Sequence, residues 1–240
     1  MKNPICISTG FLYRLTNDRN EIINKTREFS PDGIELSFAH PQYLFDFIID
    51  KENLKYLKSL QFISIHSPWK EISYGNNQTC KDILEVIEKL YKQVGAENVV
   101  FHVEKIEDIN ILKEYDFIAS IENKDWRYDS VNTVEQIEAI LNKNKSLKFT
   151  FDFAHALTVS PNDIPKYITK LKDRLIAIHL SMLNKQLKDH WFLHKYDSKQ
   201  MRNLLNCLKD INVPIVLECV ASDWSEVPLI KKEIEYIKSI

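Results

Sequence analysis

Glycine is scarce in this chain: Gly10, Gly33, Gly75 and Gly95 are all that 240 residues contain. They stand too far apart to form a GxGxxG or GxxxxGK[ST] loop. Such loops cradle phosphates with backbone amides, so a nucleotide cofactor held in that way is excluded. Cysteine is as sparse, and Cys6, Cys80, Cys207 and Cys219 make no CxxC pair. That excludes a zinc ribbon or a disulfide frame and suits the reduced thiols of a cytoplasmic protein. Long apolar runs are missing too. Nothing approaches the ~20 residues needed to span a bilayer, and the opening MKNPICISTG is too brief and too polar for a signal-peptide core. No membrane partner is expected. Charge of one sign is also lacking, since 32 basic and 34 acidic residues leave a net −2. No global basic field therefore points to nucleic acid, although a local basic groove stays open.

What the chain does contain is a rhythm. Hydrophobic residues make up 44% of it, enough for one sizeable core. Apolar strand patterns run over Pro4 to Thr9, Asp32 to Ser37, Phe62 to His66, Asn98 to Val103, Phe117 to Glu122, Leu147 to Asp152, Arg174 to Leu180 and Val213 to Glu218. Between them come helical periods. One starts near Asn17 or Asp18, and one opens at Pro41 with Leu44, Phe45, Ile48 and Ile49 on one face. A clearer one carries Ile83, Leu84, Ile87, Leu90 and Val94 before Gly95. Others lie around Ile109 to Tyr115, Val134 to Leu141, Asp163 to Leu171, Met201 to Leu208 and Val227 to Ile237. Eight βα units without a linker predict an α/β fold over residues 1–240, a single-domain (β/α)8 TIM barrel, with a doubly wound open sheet as the structural alternative.

In a barrel the C-terminal ends of the strands meet at one mouth. Here those ends read His66, His102, Glu122, Asp152, His179 and Glu218. His155 follows strand six, and Asp189, His190 and His194 lie in the loop after strand seven, whereas His40 reads as a surface residue. Each taken alone is ordinary, since a lone strand-end His is commonly hydrogen-bonded structure and a lone acid a helix cap. Together they would bury several like charges at one mouth, which is costly unless cations neutralise them. Imidazole with carboxylate suits Zn²⁺, Mn²⁺ or Fe²⁺ better than Mg²⁺ or Ca²⁺.

As a set, Gly33-Ile34-Glu35-Leu36, His66-Ser67-Pro68-Trp69, Phe101-His102, Ile121-Glu122-Asn123, Phe151-Asp152-Phe153-Ala154-His155, Ile178-His179-Leu180 and Leu217-Glu218 resemble the xylose-isomerase-like TIM barrels. That superfamily includes endonuclease IV and the divalent-metal sugar isomerases and epimerases. Resemblance to endonuclease IV implies zinc, two or three ions, with Mn²⁺ or Fe²⁺ as alternatives. His66, His102 and Glu122 would hold the first ion, and Glu122 would bridge to a second on Asp152, His179 and Glu218. His155 and His190 match ligands of a third. Lys188 stands where that family has an aspartate, so Asp189 would have to substitute from the next position. Val103-Glu104 and Leu193-His194 stand where the family shows glycines.

The activity implied is a phosphoesterase using metal-activated water on a phosphodiester, with abasic-site DNA as one substrate and Glu122 and Glu218 as catalytic residues. The alternative is a one-metal sugar isomerase or epimerase, in which Glu122 and Glu218 move a proton beside a carbonyl. A metal-binding barrel without catalysis is the remaining reading, motivated by Lys188 and the missing glycines. On the substrate side stand Trp69, Lys188 and Glu35, the last as a hydrogen-bonding support of the mouth; Trp69 has plain mouth packing as its other reading. The partner is a small phosphorylated or sugar substrate, or DNA, and the oligomeric state is left open. Lys70, Lys124, Arg127, Lys185, Lys188 and Lys195 are candidate phosphate contacts, each of a type that is usually a solvated surface charge.

Overall fold

The computed structural model describes residues 3–183, 190–209 and 211–240. Eight parallel strands close into a barrel: β1 (Ile5–Ser8), β2 (Gly33–Ser37), β3 (Phe62–His66), β4 (Asn98–His102), β5 (Ala119–Glu122), β6 (Lys148–Asp152), β7 (Leu175–Leu180) and β8 (Ile215–Leu217). Around the barrel they run in sequence order, and β8 pairs with β1 to close it. The open-sheet alternative is thereby excluded. A two-stranded antiparallel ribbon, Met182–Leu183 with His190–Trp191, follows β7. Among the described residues no helix is long and apolar enough to cross a membrane.

Nine helices accompany the strands among the described residues: α1 (Arg19–Arg27), α2 (Pro41–Phe45), α3 (Lys51–Leu57), α4 (Gln78–Val94), α5 (Val134–Lys143), α6 (Phe153–Val159), α7 (Ile164–Leu171), α8 (Lys199–Leu205) and α9 (Leu229–Ser239). Helix α4 shows how the sequence sets such an element. Asn77 accepts the Cys80 N–H at its start, Gly95 at φ 71° ends it, and Cys80, Ile83, Leu84, Ile87, Leu90 and Val94 form its buried stripe.

Structure and expectation differ at three places. The helix opening at Pro41 stops at Phe45, because Asp50 takes the Asn53 N–H at 2.7 Å and caps a separate helix, α3. Leu44 and Ile49 are buried as foreseen, but Ile48 is 83% exposed. Between β4 and β5 the helical piece is a 3-10 segment, Ile109–Glu114. Nothing in the apolar pattern announced α6, which begins directly at the end of β6.

Strand alternation divides the barrel into two environments. One set of side chains, such as Ile7, Leu36, Ile65, Phe101, Phe151 and Leu217, joins the large core shared with the helices. The other set points into the barrel and forms three levels. At the bottom Cys6, Phe62, Ala177 and Val216 make a small apolar plug. Above it lies a polar level: Ser64 donates to Glu35 at 2.9 Å, Ser120 and Thr150 hydroxyls are 2.7 Å apart, and Asn98 reaches Thr150 at 3.4 Å. The top level is the strand-end set. His66, His102, Glu122, Asp152 and His179 are thus one step further along the same inward alternation that carries Ser64, Ser120 and Thr150.

Candidate metal centre

The register places the strand-end residues side by side. His102 pairs with Glu122 across β4 and β5, and Asp152 with His179 across β6 and β7. The Glu218 N–H donates to the Leu180 carbonyl at 3.1 Å, which carries the ladder one residue beyond β8 and sets Glu218 at the rim. Four groups of three ligand-type side chains result: His66–His102–Glu122, Glu122–Asp152–His179, His66–His179–Glu218 and Asp152–His155–His190. Except for Asp189, which lies outside the described residues, every ligand expected from the sequence falls in one of them.

Glu122 is the hub. Its Oε2 lies 3.3 Å from His66 Nε2 and 3.6 Å from His102 Nε2, while Oε1 lies 2.9 Å from His155 Nδ1. Burial pushes its carboxyl up, but Lys124, His102 and hydrogen bonds from His155 and His66 outweigh that and hold it well below the usual carboxylate range. Glu218 goes the other way: burial raises its carboxyl, Glu35, Asp152 and Glu122 add to the rise, and His179 only partly offsets it.

Several histidines have one ring nitrogen tied and the other turned inward, the arrangement that fixes tautomer and aim in metal sites. His66 Nδ1 is 3.1 Å from the Ser67 carbonyl, leaving Nε2 on the Glu122 side. His179 Nε2 is 3.0 Å from Glu35, and its Nδ1, fully buried, has no hydrogen bond. His155 Nδ1 is 2.9 Å from the Asn123 carbonyl as well as from Glu122. Asp152 divides its two oxygens in the same way. Oδ1 accepts the His155 N–H at 2.6 Å and caps α6, which is why His155 sits in a helical turn and not in a loop. Oδ2 is buried and unpartnered.

A buried imidazole nitrogen with no hydrogen bond, 3.4 Å from Glu218 Oε1, and a buried, unpartnered carboxylate oxygen in one ligand group are what a divalent cation would satisfy. Around Asp152 and His179, therefore, the residues fit a metal ion. The third group brings His155 and His190 together as expected and adds Asp152. Asp152 supplies the carboxylate beside His155 and His190, whose Nδ1 is 2.6 Å from Ser181 Oγ. The expectations for Asp189, Lys188 and Lys185 fall outside the described residues.

A cavity of about 490 Å³ opens above this level, lined by His66, Trp69, His102, Glu122, His155, His190 and Glu218 among others. Trp69 lies on its wall, stacked on His102 at 5.2 Å and edge-on to His66 at 4.8 Å. Glu35, named from the sequence on the substrate side, does not reach the cavity. It is fully buried below the mouth, where it holds Ser64 and His179. His194 is bound to Glu233 at 2.6 Å, so it serves the packing of α9 and not the mouth.

Among the proposed phosphate contacts, Lys70 and Arg127 line the cavity, Arg127 in a two-point pair with Asp125. Lys195 is paired with Glu226 at 2.8 Å. Lys124 is the surprise, because it is only 3% exposed and its Nζ lies 3.0 Å from His102 Nδ1. Its signal in the sequence was the spacing Glu122-x-Lys124, which extends the inward alternation of β5 one step past the strand. Glu104, 3.3 Å from His102 Nδ1, is a further neighbour that strand ends alone did not reveal.

No family model matches the chain, and no curated protein does either. Solved structures do. A D-tagatose 3-epimerase-like protein superposes with a TM-score of 0.63 at 19% identity, over 98% of both chains. Endonuclease IV from Thermus thermophilus gives 0.64 at 13%, again over 98% of both. A xylose isomerase domain containing protein from Salmonella typhimurium gives 0.65 at 14%, over 100% of this chain and 97% of that one. An epimerase-like protein and an endonuclease are matched equally well, so the fold does not choose the reaction. The likeness does establish that this chain has the fold of the xylose isomerase-like TIM barrels.

Proposed function

We propose that the mouth is the active site of a divalent-metal phosphoesterase acting on a small phosphorylated substrate. The observation that carries this reading is Glu122, shared between the His66–His102 group on one side and the Asp152–His179 group on the other. A carboxylate shared in this way sets two positive positions next to each other. Such a pair can hold the attacking and the leaving oxygens of a phosphoryl group. Zinc is the ion we propose for Glu122, Asp152 and His179, given the mixed imidazole and carboxylate donors, with Mn²⁺ or Fe²⁺ next. When bound, it would supply Lewis acidity at a phosphoryl oxygen and a water of lowered pKa. Glu218, at the rim, orients the nucleophile. Trp69 closes one wall against water, and Lys70 and Arg127 attract the anionic substrate. The cavity volume suits a small molecule.

A second reading, proton transfer beside a carbonyl in a sugar, is favoured by one specific feature. Glu122 and Glu218 both face the cavity, and their carboxyls are pushed in opposite directions. One pair of assays separates the two. Zinc-loaded protein should hydrolyse bis(p-nitrophenyl) phosphate, lose that activity to a chelator and regain it on adding zinc. Deuterium incorporation from D₂O into ketoses, without any phosphodiester turnover, would replace the first reading by the second.

A further inference from the structure

The group His66–His102–Glu122 has the donors of a metal site, yet a cation of the chain's own already sits in it. Lys124 Nζ lies 3.0 Å and 3.4 Å from the two ring nitrogens of His102 and 3.8 Å from Glu122 Oε1. Its side chain is 3% exposed, against a carboxylate that is 2% exposed. A buried lysine persists when a carboxylate compensates it, and Glu122 is that compensation. His102 has Nδ1 toward Lys124 and Glu104, with Glu104 Oε1 at 3.3 Å, while its Nε2 stands 3.6 Å from Glu122 Oε2. His66 keeps Nε2 toward Glu122, but two donors beside an ammonium ion make a poor seat for a dication, because the two charges would repel at short range with little water between them. The Asp152 side of Glu122 differs. There Asp152 Oδ2 and His179 Nδ1 have no hydrogen bond, and among the described residues no lysine or arginine is ion-paired with either; His179 Nδ1 lies 3.4 Å from the Glu218 carboxylate.

We infer that the Lys124 ammonium takes the place of the first ion, so that His66, His102 and Glu122 hold no metal and the site works as a metal–ammonium pair astride Glu122. An ammonium has three N–H donors. His102 accounts for one, Glu122 at 3.8 Å is an ion-pair partner beyond hydrogen-bond reach, and Lys124 also lines the cavity, where an N–H can meet a substrate oxygen. Within the phosphoesterase reading, on which this part rests, that oxygen is a phosphoryl oxygen held between Lys124 and the ion on the Asp152 side. The charge needed at the first position is thus built into the chain and stays there when free metal is scarce.

Counting ions tests this without any substrate. Native mass spectrometry of the full chain, loaded with zinc and desalted, gives the number of ions per molecule. Lys124→Met, which keeps the length and removes the charge, should bind one ion more than the wild type. His102→Ala in the wild-type background should leave the count unchanged, whereas in the Lys124→Met background it should remove the added ion. Equal counts for the wild type and Lys124→Met would overturn the inference. So would a lower count for His102→Ala alone, a measurement that stands even where Lys124→Met fails to fold. Failure of phosphodiester hydrolysis leaves these counts untouched, so the two readings fail separately.

Discussion

Asp152→Asn should lower kcat/KM by on the order of 10³ or more while leaving the melting temperature no lower than that of the wild type. The two oxygens of Asp152 have separate duties: Oδ1 accepts the His155 N–H at 2.6 Å, and Oδ2 is buried without a partner. Asparagine caps a helix about as well as aspartate does, so α6 keeps its start. What is lost is the carboxylate that serves two ligand groups, Glu122–Asp152–His179 and Asp152–His155–His190. The Asp152 N–H donates to Asn123 Oδ1 at 2.8 Å and the Asp152 carbonyl accepts from Asn123 Nδ2 at 2.9 Å; neither bond involves the substituted side chain, and both persist. Asp152→Ala serves as the control. It removes the cap as well, costing about 1 kcal/mol, or roughly 2–4 °C for a chain of this size. Kinetics and thermal unfolding of the two variants therefore separate ligand from cap. A drop in activity confined to Asp152→Ala would show that Asp152 matters only by starting α6.

The barrel was legible because its signal is periodic. Eight apolar runs, each followed by a helical stripe, can be read without tertiary information. The clustering of the strand-end side chains was legible for a related reason: the C-terminal ends of parallel strands must converge once the sheet closes. What was hidden depends on side-chain direction within the barrel. Glu35 and Ser64 both lie inside, and only the closed sheet shows that they form a level beneath the mouth, where Glu35 gives its expected hydrogen-bonding support through His179. Lys124 reads as a surface charge in sequence because lysine usually is one; its burial follows from Glu122 two residues earlier. The break between α2 and α3 was hidden because Leu44, Phe45, Ile48 and Ile49 have a helical period, and only the competing cap at Asp50 interrupts it.

Gly33→Ala should destabilise the protein by about 3 kcal/mol or more, the upper range for inserting atoms into a packed interior. That corresponds to a fall in Tm of roughly 6–12 °C for a chain of this length. The cause lies at the bottom of the barrel, where Gly33 pairs with Cys6 on one side and Phe62 on the other. An added Cβ would stand 2.4 Å from the Phe62 carbonyl oxygen and 2.6 Å from Cys6 Sγ. The sulfur can be removed by a second substitution, but the carbonyl belongs to the β2–β3 ladder and can move only by breaking it. Cys6→Ala added to Gly33→Ala should accordingly restore part of the lost stability and not all of it. Because this plug lies at the opposite end of the strands from Ser37, His66 and Glu218, the folded fraction of Gly33→Ala should bind as many zinc ions per chain as the wild type. A full restoration by Cys6→Ala would place the conflict at the sulfur alone. A lowered ion count in folded Gly33→Ala would show that the plug and the strand-end level are mechanically coupled through Glu35, the residue that stands between them on β2.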